Sequence, residues 1–78
     1  MATMEAVVHI GDRLKELRLR RAMTQNELAE AARINKNTIN RIERNHTEPR
    51  PPTLRKLANA LGVDPAELIG GTQMDQLK

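Results

Sequence analysis

Apolar residues along this chain recur at spacings of three and four, the signature of helix faces buried on one side. Ile10, Leu14 and Leu17 mark one face of a first helix at roughly residues 9–22, with Arg13, Arg18, Arg20 and Arg21 around much of the remainder. Thr24-Gln25-Asn26-Glu27 reads as a capping box, in which the Thr24 hydroxyl accepts from the Glu27 amide and the Glu27 carboxylate reaches back. It opens a second helix at about 25–32, with Leu28, Ala29 and Ala32 inward. Asn35 suits the N-cap of a third helix running to about Arg44, with Ile39 and Ile42 inward and Ile34 in the turn before it. The segment from Asn45 to Pro52 is a loop, since proline removes a backbone donor and restricts its predecessor. A fourth helix at about 52–61 turns Leu54, Leu57, Ala58 and Leu61 inward and stops at Gly62. Asp64-Pro65-Ala66-Glu67 repeats the start signal for a short fifth helix at about 65–69, ahead of Gly70-Gly71. No stretch alternates with the period of a strand. The pattern predicts an all-α fold: an N-terminal extension over 1–8, one domain over 9–70 and a tail over 71–78.

Composition narrows the chemistry. The 78 residues contain no Phe, Trp or Tyr, which excludes binding modules that stack bases on aromatic platforms. Neither Cys nor Ser is present, so disulfide scaffolds, thiolate zinc sites and the common hydroxyl and thiol nucleophiles are excluded together. His9 and His46 stand far apart without a carboxylate cluster, and Met23 reads as packing. We therefore expect no enzyme, no metal and no cofactor. The N-terminus lacks a basic, apolar leader and no apolar run is long enough to span a bilayer, which points to the cytoplasm and away from membranes.

Charge adds direction. Overall, 13 basic side chains face 10 acidic ones, a balance of +3. Residues 11–56 hold 12 of the basic groups but only six acids, a local +6, while both flanks are slightly acidic. Such a body suits a polyanion, nucleic acid first.

Residues 24–44 carry the most information. Two short helices joined by a turn of about three residues suit a crossing of about 90–120°. The second of them presents Lys36, Asn37, Asn40 and Arg41 as one contiguous outward patch. These side-chain types read the major groove: Arg and Lys donate to guanine, and Asn pairs both ways with adenine.

At this point the sequence resembles the phage-repressor, Cro-like (XRE-type) helix-turn-helix family. The resemblance covers about residues 10–69 and rests on four stretches: Arg13-Leu14-Lys15-Glu16-Leu17-Arg18, Thr24-Gln25-Asn26-Glu27-Leu28-Ala29, Asn37-Thr38-Ile39-Asn40-Arg41-Ile42-Glu43 and Leu57-Ala58-Asn59-Ala60-Leu61-Gly62-Val63. It implies a compact five-helix domain of the lambda-repressor-like type, with a helix-turn-helix at about 25–44. Such a domain binds double-stranded operator DNA, usually a palindrome, as a homodimer, and most often represses transcription.

Carried over by position, the resemblance assigns base contacts to Lys36, Asn37 and Arg41, with Asn40 beside them. It assigns phosphate contacts to Thr24, Gln25, Asn35, Arg44, Asn45, Thr47 and Arg50. Arg18 and Glu43 match a structural salt bridge between the first and third helices, and Val63, Leu68 and Ile69 a dimer interface extended by Met74 and Leu77. One position departs from the family: the turn after the second helix usually holds Gly, and here it is Arg33. Either Arg33 accepts the left-handed conformation at about 1–2 kcal/mol or the turn takes another form. A second function class stays open, that of an antitoxin or interaction module of the same fold whose main role is to bind a partner protein.

Overall fold

Each helix after the first begins at a local side-chain cap or at a proline. The computed structural model describes residues 9–69, so residues 1–8, Gly70-Gly71, Met74 and Leu77 lie outside the described residues. Within that span the chain forms α1 (Ile10–Arg20), α2 (Gln25–Ala32), α3 (Lys36–Glu43), α4 (Pro51–Leu61) and α5 (Pro65–Ile69). At the start of α2 the Thr24 hydroxyl accepts from the Glu27 amide at 3.0 Å, and the Thr24 amide donates to the Glu27 carboxylate at 2.9 Å. Asn35 caps α3 by accepting from the Asn37 amide at 2.7 Å. Pro51 and Pro52 occupy the first positions of α4, where a missing N–H costs nothing. The second capping box is only half made: Asp64 accepts from the Ala66 amide at 3.3 Å, and Glu67 reaches back with its backbone amide, not its carboxylate.

The helix ends follow one scheme four times. One or two residues past the end of each of α1 to α4 the backbone turns left-handed, and the next amide reaches back five residues, from Met23, Ile34, His46 and Val63 to the carbonyls of Arg18, Ala29, Arg41 and Ala58. The left-handed residues are Ala22, Arg33, Asn45 and Gly62, at φ of 54°, 58°, 61° and 71°. Only one of the four is glycine. The Arg33 turn therefore keeps the left-handed geometry and carries its strain, about 1–2 kcal/mol for a residue with a Cβ. The same closure ends α1 at Arg20 and leaves Arg44 as the cap of α3, each short of the pattern's estimate.

Helix packing closes a ring: α1 lies on α3, α3 on α2, α2 on α4, α4 on α5 and α5 back on α1. Inside it sit Leu14, Leu17, Leu28, Ala29, Ala32, Ile39, Ile42, Leu57, Ala58, Leu61 and Leu68, with Ile10, Met23, Ile34, Leu54, Ala60 and Val63 packed around them. The core is wholly aliphatic. Leu68, expected on a dimer surface, is fully buried in it, where α5 packs on both α4 and α1. Among the described residues of that expected interface, Val63 is half-buried and Ile69 is broadly exposed. Among the described residues no helix is long and apolar enough to cross a membrane.

Candidate nucleic-acid interface

The outer face of α3 follows from its inner one. Ile39 and Ile42 are drawn into the core, so residues 36, 37, 40, 41 and 44 must turn away from it. Lys36, Asn37, Arg41 and Arg44 are exposed and Asn40 is half-buried at the border with α2. Among the described residues neither Lys36, Arg41, Arg44 nor Arg50 enters an ion pair, whereas Glu16 on α1 binds both Arg13 and Arg20. The cations on and after α3 are thus available to an external anion.

Beneath this face lies a buried polar network. The Arg18 guanidinium grips Glu43 through two bonds, Nε to Oε2 at 2.7 Å and Nη2 to Oε1 at 3.0 Å, and spends Nη1 on the Met23 carbonyl at 2.7 Å. The Glu43 hydrogen bond raises the Arg18 pKa further, against the opposing pull of burial. Gln25 then donates to Glu43 Oε1 at 3.1 Å, and Asn40 donates to Gln25 Oε1 at 3.3 Å. Four side chains from three helices therefore run in one line from the core to the rim of α3. Asn40 keeps its carbonyl oxygen and one N–H uncommitted in this line, the pair that an adenine edge requires.

The expected site residues fall into three groups. Lys36, Asn37, Asn40, Arg41 and Arg44 share α3 and its cap. Thr24, Gln25 and Asn35 stand at the N-termini of α2 and α3, where free amides favour an anion. Thr47 and Arg50 follow in the loop to α4. The side chain of Asn45 is committed elsewhere: its Oδ1 accepts from the Gly11 amide at 3.1 Å and its Nδ2 donates to Asp12 at 3.3 Å. Both ends of its amide are thus engaged by α1. Sequence reasoning missed Gly11, which is buried so tightly that a Cβ there would collide with the Ile42 carbonyl and Asn45 Oδ1. A glycine in the first turn of a helix, with its poor propensity, was the available sign.

Comparison with known proteins agrees with this geometry. A helix-turn-helix family model matches residues 14–68. The chain is 36% identical over 61 residues to the immunity repressor protein of Bacillus phage phi105, covering 78% of this chain and 42% of that protein. It is 36% identical over 67 residues to the HTH-type transcriptional regulator ImmR of Bacillus subtilis strain 168, covering 86% of this chain and 53% of that one. The chain thus spans about half the length of the curated relatives it matches. Among solved structures, the P22 c2 repressor protein in complex with a synthetic operator superposes with a TM-score of 0.77 at 28% identity, over 83% of this chain and 98% of that one. With the sequence motifs, the five-helix ring and these matches in agreement, the chain belongs to the phage-repressor type of the helix-turn-helix family.

Proposed function

We propose that the chain is a sequence-specific double-stranded DNA-binding regulator of transcription, acting as a repressor by occupying its operator without catalysis. The observation that carries this reading is the outer face of α3, where Lys36, Asn37 and Arg41 are exposed and their side chains take no partner among the described residues, while the helix beneath is pinned through Glu43. In this reading Lys36, Asn37, Asn40 and Arg41 meet base edges. Phosphates meet Thr24, Gln25, Asn35, Arg44, Thr47 and Arg50, with the α2 and α3 amides beside them. Relatives named as repressors and a structural neighbour solved with an operator support it.

A two-fold dimer on a palindrome fits the same reading, with half-sites about 34 Å apart, one turn of DNA. Ile69 and the rim of Val63 supply its apolar contact. With relatives from a bacterium and a bacterial phage, action in the cytoplasm fits the same reading. The test is selection from a random double-stranded library at about 150 mM salt, where contacts to phosphate alone are weakened. Enrichment of a palindrome supports the reading; binding that fades with salt and enriches nothing overturns it.

A further inference from the structure

Among the described residues Ala22, Arg33, Asn45 and Gly62 adopt a left-handed backbone to end a helix; Ala22 and Gly62 carry no polar side chain, and that of Arg33 forms no hydrogen bond with the other described residues. Asn45 is the exception. Its backbone closes α3, with the Asn45 amide donating to the Ile42 carbonyl at 2.9 Å. Its side chain reaches α1, 34 positions away, and accepts from the Gly11 amide. That amide belongs to the first turn of α1, whose donors have no partner within the helix. The residue in the cap position, His9, provides no side-chain acceptor. Asn45 therefore caps α1 from outside while terminating α3. Asp12, the next residue of α1, accepts from the other end of the same amide, which fixes its orientation.

The junction is matched on both sides. Gly11 lacks the Cβ that would strike Asn45 Oδ1 and the Ile42 carbonyl, so the end of α3 sits directly on the α1 backbone. A second tie joins the same two helices, since Arg18 holds Glu43 by two bonds. Gly11 and Arg18 lie seven residues apart on α1, about 10 Å at 1.5 Å per residue. Glu43 and Asn45 bracket the end of α3. One attachment leaves a helix free to pivot, but two separated ones set its direction.

We infer that Asn45 is a positioning residue for DNA reading: with the Arg18–Glu43 pair it sets the angle of α3 on α1 and the departure of the Thr47–Arg50 loop, and it touches no DNA itself. This rests on the DNA-binding reading above, and deepens it. Glycine would satisfy the left-handed backbone with less strain, so it is the side-chain bonds that account for asparagine here.

The test uses Asn45→Gly, which keeps the left-handed backbone and removes the amide. A second variant, Asn45→Asp with Asp12→Asn, restores a donor–acceptor pair in the reverse sense at unchanged charge. Two readouts are taken on each. Residual dipolar couplings of backbone amides report the α1–α3 angle in the free protein. Binding to the selected operator and to random DNA reports discrimination. We expect Asn45→Gly to alter the couplings of α3 relative to α1 and to reduce the operator-to-random ratio about tenfold, with random-DNA affinity held within about twofold. The reversed pair should recover most of both. The melting temperature of Asn45→Gly is no guide, because relief of backbone strain offsets the lost bonds. Unchanged couplings in Asn45→Gly overturn the positioning role whatever the DNA result. An equal loss on operator and random DNA, with couplings unchanged, returns Asn45 to a phosphate contact. A wild-type chain that prefers no sequence overturns the DNA reading instead, and the couplings then decide the structural claim alone.

Discussion

The two halves of this domain are held together by different forces. Across α1, α2 and α3, directional polar bonds cross from helix to helix: Arg18 to Glu43, Gln25 to Glu43, Asn40 to Gln25, and Asn45 to Gly11 and Asp12. Across α4 and α5 the cement is aliphatic, with Leu57, Ala58, Leu61 and Leu68 filling the core. Among the described residues one tertiary side-chain bond reaches that half, from Arg13 Nε to the Glu67 carbonyl at 2.9 Å. Apolar burial is proportional to area and indifferent to direction, so it settles that α4 and α5 cover the core without fixing an angle closely. Hydrogen bonds weaken steeply when misaligned, so they define one. The half that specifies an angle is the half that presents α3.

This contrast can be broken first at its strongest polar bond. Glu43→Ala leaves the Arg18 guanidinium buried without its carboxylate, and should cost about 3–5 kcal/mol in chemical denaturation. Replacing both partners, Arg18→Met with Glu43→Leu, should recover most of that stability, because a buried ion pair often gains little over well-packed apolar groups. Discrimination between operator and random DNA should nonetheless stay impaired. Full recovery of discrimination would mean that apolar packing alone orients α3. Leu57→Ala on the other side should cost about 2–5 kcal/mol through lost burial and a cavity. At a temperature where the variant remains folded, its operator-to-random ratio should match wild type. Arg41→Ala should leave stability within about 0.5 kcal/mol, as for an ordinary surface change. It should weaken operator binding by about 1–3 kcal/mol and relax one base position in a repeated selection. The smallest effects lie in the turns. Ala22→Gly and Arg33→Gly should each raise stability by about 1 kcal/mol, by relieving a left-handed Cβ. In a domain this size that is a rise of about 4–8 °C in Tm, with operator affinity unchanged. A lower Tm for Arg33→Gly would show that strain at that turn is not what glycine relieves.

Legibility differed along the same divide. Apolar spacing and cap signals together located all five helices and the whole of the core except Leu68, whose burial depends on how α5 closes over α1 and α4. Local caps were readable because they join residues two or three apart, as Thr24 with Glu27 and Asn35 with Asn37 do. The exposed face of α3 was readable too, since the inward isoleucines of α3 dictate which residues face out. Asn45 was assigned to phosphate on position alone, and nothing local revealed that its amide would be spent on Gly11, 34 residues earlier. The link through Gln25 to Asn40 was hidden in the same way.

By itself, then, the sequence determined everything set by short-range periodicity: helix positions, caps, the aliphatic core and the identity of the outward cations on α3. Only the tertiary structure decided which polar side chains are free and which are committed. Commitment depends on distances between residues far apart in the chain, and a buried amide or carboxylate takes whatever partner the packing brings within about 3 Å.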